Sequence, residues 1–377
     1  MISWFTQQMK FVWLRFRGLP PFFSKGVRII ILSLPSITFL LGWELLVRSK
    51  FHAFPFEQHI DTGFLQEREK SLLWQWPPGN GRNMLGLRNR EVSEKTKDEC
   101  RILMLGDSLL YSGDTSSGAL ATAVAEDNLN RKFARNGRIN VINAGIPGYT
   151  TYQELEFLKI HGLAMKPDIV VLGFVFNDVY EKYLHLPSNG GRKLGAFQPS
   201  VHLMHFNPYT IPGRLFGWSY LANDVAYRAE KIWGKLKNRH SPWKPVFSFE
   251  DQLDFFLAWK PYGWKNTNRL IGEMKDILDQ HGIKFMVVSF PVVEQMDSYK
   301  RQLDPQYLLF PQKKIGDICQ KHGILYSDLT QCLYQNGGKN LFQDYLHLNH
   351  KGNDVFATEL TRLLEDHFVD ALRGPKR

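Results

Sequence analysis

Five short apolar runs recur along the chain from residue 102 onward, and stretches with a helical spacing of apolar residues alternate with them. Apolar runs of this kind are typical of strands that are buried on both faces of a parallel sheet. Strands that alternate with helices predict one parallel sheet covered by helices on both sides, with right-handed crossovers. The predicted strands are Ile102 to Leu105, Arg138 to Asn143, Asp168 to Phe176, Ile283 to Phe290 and Ile324 to Ser327, and the predicted helices are Ala119 to Phe133, Tyr152 to His161, Asn268 to Gln280, Pro311 to Lys321 and Lys351 to Leu364.

The first apolar run stops abruptly at Gly106, Asp107 and Ser108. Gly106 permits a sharp backbone turn, which places Ser108 at the carboxyl end of the predicted strand. Ligands bind at this edge of open α/β sheets, and a helix that starts at Leu109 would direct free backbone N–H groups at the same position. Ser108 is therefore a candidate nucleophile. On these residues alone, the alternative is that Asp107 and Ser108 merely cap the helix.

A nearly continuous apolar stretch covers residues 29–47 and is interrupted only by Pro35 and Glu44. About 20 apolar residues span a bilayer, so this stretch is long enough if Glu44 lies at the interface. Five positive charges precede it and the residues just after it add little charge, so the positive-inside rule places the amino terminus in the cytoplasm. Because no small-residue cleavage site follows, we expect an uncleaved, single-pass signal anchor. A buried globular helix is the alternative.

The formal net charge of +10 is confined to two segments of the chain. Residues 1–43 contribute five of the positive charges and residues 181–265 contribute six, so the remainder is near neutral. A local excess argues against a general polyanion binder, and we predict no nucleic-acid partner. Cysteines are few and show no metal-binding spacing, although one disulfide is allowed. The cysteines are Cys100, Cys319 and Cys332.

Asp344 and His347 stand three residues apart, just before the last predicted helix. On a turn or a helical start, this spacing places both side chains on one face. An aspartate in that position can accept a hydrogen bond from one imidazole nitrogen and leave the other nitrogen as a base. Together with Ser108, the pair supplies the side chains of a nucleophilic acyl-transfer site. The pair by itself is typical of a solvated capping turn.

Four blocks of residues, in this order along the chain, resemble those of the SGNH hydrolases, which are also called GDSL esterases and lipases. The resemblance covers residues 101–364 apart from an insertion. Val175 is a departure, because a glycine often stands two residues before the asparagine of the third block. The blocks are Gly106, Asp107 and Ser108; Asn143, Ala144 and Gly145; Asn177 and Asp178; and Asp344 and His347 followed by Leu348, Asn349 and Gly352.

The resemblance implies a flavodoxin-like α/β/α sandwich with a five-stranded parallel sheet, here preceded by one transmembrane helix. It implies a hydrolase or transferase that acts on an ester without a metal or another cofactor. Ser108 would be the nucleophile, His347 the base and Asp344 the group that orients the imidazole ring. The backbone N–H groups of Ser108 and Gly145 and the side-chain amide of Asn177 would bind the oxyanion.

The predicted organisation of the chain has four parts. They are a basic cytoplasmic tail at 1–28, a transmembrane anchor at 29–47, a juxtamembrane linker at 48–99 and a hydrolase domain at 100–372 with an insertion at 181–265.

Five of the ten tryptophans lie in or next to the insertion. One interpretation is a lid or cleft wall that stacks sugar rings or holds an acidic polymer. The other, which we favour for most of them, is that these side chains belong to amphipathic helices packed on the sheet. They are Trp218, Trp233, Trp243, Trp259 and Trp264.

These patterns together predict a membrane-anchored serine esterase at a bacterial plasma membrane, with its catalytic domain in the periplasm or outside the cell. Its substrates would be acyl esters, among them acetyl esters, on envelope glycans or lipids. One alternative is an acyltransferase that moves an acyl group onto a glycan hydroxyl. Another is an inactive scaffold for envelope assembly, against which the complete set of site residues argues. The sequence does not indicate an oligomeric state.

Overall fold

The structure, a computed structural model, describes a defined set of residues. These are residues 34, 36–46, 71–72, 75–76, 78–112, 117–133, 138–179, 219, 221, 222, 225, 229 and 256–373. The predicted cytoplasmic tail and most of the predicted insertion lie outside them, as does much of the predicted linker. The division of the chain into these parts stays a prediction.

Five parallel strands form a single sheet in the order β2-β1-β3-β4-β5. All residues of β1 and β3 are buried, as expected for central strands that are covered on both faces. The prediction of a five-stranded parallel sheet is therefore confirmed. The strands are β1 (Glu99–Gly106), β2 (Arg138–Gly145), β3 (Ile169–Phe174), β4 (Lys284–Ser289) and β5 (Leu325–Asp328).

Two groups of helices cover this sheet. The first group consists of α2 and α9, and α2 also packs against β2. The second group consists of α3, α4 and α7, in which α4 packs against both α3 and α7. The α-helices from residue 108 onward are α1 (Ser108–Tyr111), α2 (Ala121–Phe133), α3 (Thr151–Phe157), α4 (Trp264–Gln280), α5 (Ser298–Leu303), α6 (Pro305–Leu308), α7 (Phe310–His322), α8 (Thr330–Gln335) and α9 (His350–Arg373).

Helix α9 continues well beyond Leu364, where the predicted helix ended. Phe368 and Leu372 lie at helical spacing from Leu364, and all three side chains are buried. The continued burial of one apolar face stabilises the additional turns, even though the backbone is kinked at Phe368.

Three glycines at the carboxyl edge of the sheet make room for the helix that carries Ser108. Gly106 lies opposite Gly145 in β2 and opposite Gly173 in β3. A Cβ atom on Gly106 would stand 2.7 Å from Leu110 Cδ1, and one on Gly145 would stand 2.6 Å from Leu110 Cβ. Leu110 of α1 therefore packs directly against these three glycines, and this contact places Ser108 at the carboxyl ends of the central strands.

The amino-terminal helix, residues 36–46, lies inside the predicted span 29–47, which extends beyond it at both ends. Within the part of the chain that the structure describes, none of the helices combines the length and the apolar character needed to cross a membrane. All three cysteines are free, so the disulfide that the sequence allowed is not formed.

Candidate active site

A continuous chain of hydrogen bonds joins the three residues predicted to form the catalytic triad. His347 Nε2 lies 2.8 Å from Ser108 Oγ, and His347 Nδ1 lies 2.7 Å from Asp344 Oδ2. The fold thus brings together side chains that are separated by 239 positions in the sequence. Ser108 is half-buried, so its hydroxyl remains accessible to a substrate.

Asp344 holds the loop that carries His347 as well as the imidazole ring. Its Oδ1 accepts hydrogen bonds from the backbone N–H groups of Leu346 (2.8 Å) and His347 (2.7 Å). Burial acts to raise the pKa of Asp344, but the two backbone donors and the His347 side chain outweigh it and hold that pKa below its ordinary value. Asp344 is therefore an ionised acceptor at neutral pH, as the orienting acid of a triad must be.

Asn349 and Gly352 fasten the start of α9 behind this loop. Asn349 Oδ1 accepts from the Gly352 N–H at 3.1 Å, and Asn349 Nδ2 donates to the backbone carbonyl of Asn340 at 2.8 Å. A Cβ on Gly352 would come within 2.2 Å of the Leu341 carbonyl oxygen, so only glycine fits there. The residues that follow His347 in the fourth block thus shape the loop rather than contact the nucleophile.

Asp107 connects the nucleophile to the third strand. Its Oδ1 caps α1 by accepting from the Leu109 N–H at 2.9 Å, and its Oδ2 accepts from Asn177 Nδ2 at 3.1 Å. One hydrogen of the Asn177 amide is committed in this way, and the second remains for another acceptor. The backbone N–H of Ser108, the first residue of α1, has no hydrogen-bond partner within the described residues. Both predicted donors can therefore serve an oxyanion.

The turn that presents Asn177 does not need the glycine that Val175 replaces. Val175 N–H donates to Asp178 Oδ2 at 2.8 Å, and Asp178 N–H donates to the Val175 carbonyl at 3.0 Å. Val175 is not among the residues with a positive φ, so its side chain causes no backbone strain. The departure from the family pattern leaves the turn intact.

The prediction that Gly145 donates to the oxyanion is wrong. Its N–H already donates to Asn143 Oδ1 at 2.9 Å, because the asparagine side chain folds back along the end of β2. Asn143 in turn donates from Nδ2 to the Leu110 carbonyl at 2.8 Å. Gly145 thus contributes the space that α1 occupies, and Asn143 ties α1 to the strand.

Gly148, three residues further along the chain, carries a backbone N–H that is a candidate for the donor role predicted for Gly145. It is the third residue of a turn closed by the Tyr149 N–H to Ile146 carbonyl bond of 3.1 Å, and its φ of 79° is the positive value that a type II turn requires. Gly148 is partly exposed, and its N–H has no partner within the described residues. The sequence carried the signal, since proline followed by glycine at 147–148 favours this turn.

The geometry of the site agrees with a comparison of the sequence with known families. The sequence model of the GDSL-like lipase/acylhydrolase family matches residues 104–355, which is more than half of the chain. The chain belongs to this family. It is a GDSL-type serine hydrolase of esters, and the match contains all the residues of the hydrogen-bonded triad.

Several solved structures are similar to this GDSL hydrolase. A lipase/acylhydrolase from Enterococcus faecalis is 16% identical, with a TM-score of 0.39, and the match covers 71% of this chain and 96% of that one. An acetyl xylan esterase, AlAXEase, is 14% identical with a TM-score of 0.41, covering 70% and 99%. A mutant acetyl-xylooligosaccharide esterase from Geobacillus Stearmophilus is 16% identical with a TM-score of 0.41, covering 75% and 100%. No curated protein sequence matches the chain.

Two tryptophans at the end of the GDSL hydrolase's insertion pack behind the site. The Trp259 ring lies 5.6 Å from Phe176, and the Trp264 ring lies 5.9 Å from Phe174. Both tryptophans are buried, so the packing interpretation is confirmed for them. The other three, Trp218, Trp233 and Trp243, lie outside the described residues.

A buried carboxyl that the sequence analysis missed lies close to the GDSL site. Glu154 in α3 is 1% exposed, and neither of its oxygens has a hydrogen-bond partner within the described residues. Burial, and then the charge of Asp107, raise the pKa of Glu154 well above its ordinary value. Burial also raises the pKa of Asp107, although the Leu109 N–H, the Asn177 amide and His347 oppose this effect.

The described part of the GDSL hydrolase contains no group of three or more histidine, cysteine and acidic side chains placed to hold a metal ion.

Proposed function

We propose that this GDSL hydrolase is a membrane-anchored serine esterase that removes acyl groups, acetyl groups among them, from glycans or lipids of a bacterial envelope. The observation that carries the catalytic part is the unbroken hydrogen-bond chain from Asp344 through His347 to Ser108. Ser108 also stands at the end of a central strand, its own backbone N–H has no partner within the described residues, and the Asn177 amide keeps one uncommitted hydrogen. A nucleophile, a base, an orienting acid and an oxyanion site are the components of serine ester hydrolysis.

In the first half of the reaction, the Ser108 oxygen attacks the ester carbonyl carbon while His347 Nε2 accepts the hydroxyl proton. Asp344 accepts from His347 Nδ1 and stabilises the imidazolium that forms. The tetrahedral intermediate then collapses, and His347 returns the proton to the departing alcohol oxygen. The products are the free alcohol and an acyl group on Ser108.

In the second half, water replaces the alcohol. His347 accepts a proton from the water as its oxygen attacks the acyl carbon, and returns that proton to the Ser108 oxygen when the carboxylic acid departs. In both halves the negative oxygen faces the N–H groups of Ser108 and Gly148 and the second amide hydrogen of Asn177. Each donor of this kind is typically worth about 3 kcal/mol to the transition state.

Short-chain esters provide the test of this reaction. We expect the detergent-solubilised full chain to hydrolyse aryl acetate faster than long-chain aryl esters, and to release acetate from acetylated glycans. The measurements are initial rates, with and without an added sugar acceptor. Acyl transfer to the acceptor without release of free acid would instead establish an acyltransferase, and inertness towards all esters would favour the scaffold.

The membrane anchor is supported by the surface of the amino-terminal helix. Apolar side chains along this helix are exposed, and Leu45 is 60% exposed. Glu44 is buried, and its Oε2 accepts hydrogen bonds of 2.8 Å from Ser219 Oγ and from the Leu221 N–H. These hydrogen bonds lower the free-energy cost of placing the Glu44 carboxylate near a bilayer, because acidic side chains in a membrane need polar partners.

We expect a periplasmic phosphatase reporter fused after Arg377 to be active, because five positive charges precede the apolar stretch and retain the amino terminus in the cytoplasm. A reporter that works only in the cytoplasm should be silent at the same position. The protein should also remain in the membrane fraction at full length after a high-salt wash. The opposite reporter pattern, or the release of a shorter soluble form, would contradict the anchor.

A further inference from the structure

Two carboxyl groups beside the active site have buried oxygens without a hydrogen-bond donor in the described part of the chain. Both oxygens of Glu154 and the Oδ1 atom of Asp178 are fully buried and have no hydrogen-bond partner within the described residues. Ionised carboxylates can only accept hydrogen bonds, so neither of these groups can satisfy the other while both are charged. A buried charge without a partner is costly, and protonation is the usual relief.

Three different elements bring carboxyl groups together at this place. Asp107 ends the turn after β1, and Asp178 lies in the 3-10 turn Phe176–Val179 after β3. Glu154 lies in the first turn of α3, the helix that begins just after the Gly148 loop. The helix packs against β1, and Glu154 is close enough to Asp107 and Asp178 for the charges of these acids to act on one another.

The charged groups that act on this pair are themselves acids. Burial is the main cause that raises the pKa of Asp178, followed by the charge of Glu154 and then that of Asp107. Asp107 differs from the other two, because it accepts from the Leu109 N–H and from Asn177 and is close to His347. His161, which lies further along the same segment, packs its ring against Phe157. Asp107 therefore has donors that stabilise its ionised form, and Asp178 has one such donor in the Val175 N–H, whereas Glu154 has none among the described residues.

We propose that Glu154 is a positioning residue for Asn177: its carboxyl keeps a proton at neutral pH and donates it in a hydrogen bond to Asp178 Oδ1. Asp178 Oδ2 accepts a hydrogen bond from the Val175 N–H. With the bond from Glu154 to Oδ1, both oxygens of the Asp178 carboxyl group have a donor. The turn that carries Asn177 is then held from both sides. Its amide is fixed with one hydrogen on Asp107 and the other towards the substrate. This inference rests on the proposed role of Asn177 as an oxyanion donor.

Kinetics of two substitutions at one position test the positioning role. Glu154→Gln keeps the shape of the protonated acid and supplies an N–H donor, so we expect kcat to stay within about threefold of the unmodified enzyme. Glu154→Leu removes the donor, and kcat should fall on the order of ten- to a hundredfold with KM nearly unchanged. Glu156→Gln is the matched control, because Glu156 lies on the same helix, is only partly buried and pairs with Lys159. An equal loss in the Gln and Leu variants would overturn the proposal.

The dependence of stability on pH tests the proton directly and needs no activity. Since the pKa of Glu154 is raised above 4.5 in the folded protein, its contribution to stability is complete below that value and is lost as pH rises through the folded pKa. The melting temperature of Glu154→Gln minus that of the unmodified enzyme should therefore increase from pH 5 to pH 8. The corresponding difference for Glu156→Gln should stay constant.

Infrared spectra complete the test. The difference spectrum between the unmodified enzyme and Glu154→Gln at neutral pH should contain the carbonyl band of a protonated carboxylic acid. A carboxylate band in its place, together with a pH-independent difference in melting temperature, would show that Glu154 is ionised and would refute the inference. If the chain proved inactive on every ester, the thermal and infrared results would still decide the protonation state of Glu154. Failure of the proposed function is therefore distinguishable from failure of this inference.

Discussion

Replacing Ser108 with alanine should lower ester hydrolysis on the order of 10⁴- to 10⁶-fold, because it removes the atom that attacks the carbonyl. The substitution deletes one hydroxyl that His347 Nε2 contacts at 2.8 Å and leaves the Asp107 cap on Leu109 in place. The free energy of unfolding should therefore change by no more than about 1 kcal/mol. A serine-directed fluorophosphonate should label the unmodified protein and not the variant.

The chain contains a close control for this experiment. Ser298 begins α5 directly after Asp297, which caps that helix by accepting from the Lys300 N–H at 3.0 Å. The local sequence and cap thus resemble those of Asp107 and Ser108, but Ser298 is exposed and lies on no strand end. Ser298→Ala should retain full activity and full labelling. Equal labelling of the Ser108→Ala variant, at some other residue, would show that the nucleophile is assigned wrongly.

An Asp344→Asn enzyme should lose on the order of 10⁴-fold in turnover while its fold persists. The asparagine oxygen can still accept from the Leu346 and His347 N–H groups, but its NH₂ group would face His347 Nδ1. Nδ1 would then have to be the acceptor, which moves the ring proton to Nε2 and directs it at Ser108. In that tautomer the imidazole cannot act as the base.

Stability should respond much less than turnover at this position. Asp344 is 41% exposed, and exposed pairs of this kind typically contribute under about 1 kcal/mol. Asp304→Asn is the control, because Asp304 caps the Tyr307 N–H at 2.9 Å with the same spacing but has no histidine partner among the described residues. Turnover and melting temperature of both variants should be measured. An active Asp344→Asn enzyme, or an equal loss of turnover at Asp304, would contradict the assignment of the triad acid.

Much of the architecture was predictable because it depends on patterns that are local in sequence. A central parallel strand is buried on both faces, so runs such as the one ending at Gly106 are apolar throughout and can be recognised without a structure. The carboxyl ends of such strands meet at one edge, which placed Ser108 and Asn177 together. Asp344 and His347 are only three residues apart, so their hydrogen bond follows from a local turn.

Other features depended on contacts that no local pattern encodes. Gly145 ends β2 and Gly148 lies in the turn that follows, and only the tertiary structure shows that the Gly145 N–H is already donated to Asn143 Oδ1. Glu154 occupies a polar position in an amphipathic helix and would be expected to face water. The structure instead buries it beside Asp107 and Asp178.

The sequence by itself thus determined the strands, their parallel arrangement and the three side chains that the fold joins by hydrogen bonds, since each follows from periodicity or from short motifs. Only the tertiary structure decided which backbone N–H group has no hydrogen-bond acceptor and which acidic side chains are buried. The physical reason is that a hydrogen-bond partner and a local dielectric environment are set by atoms from distant segments. For Glu154 those atoms come from the turns after β1 and β3, which meet it only in the folded chain.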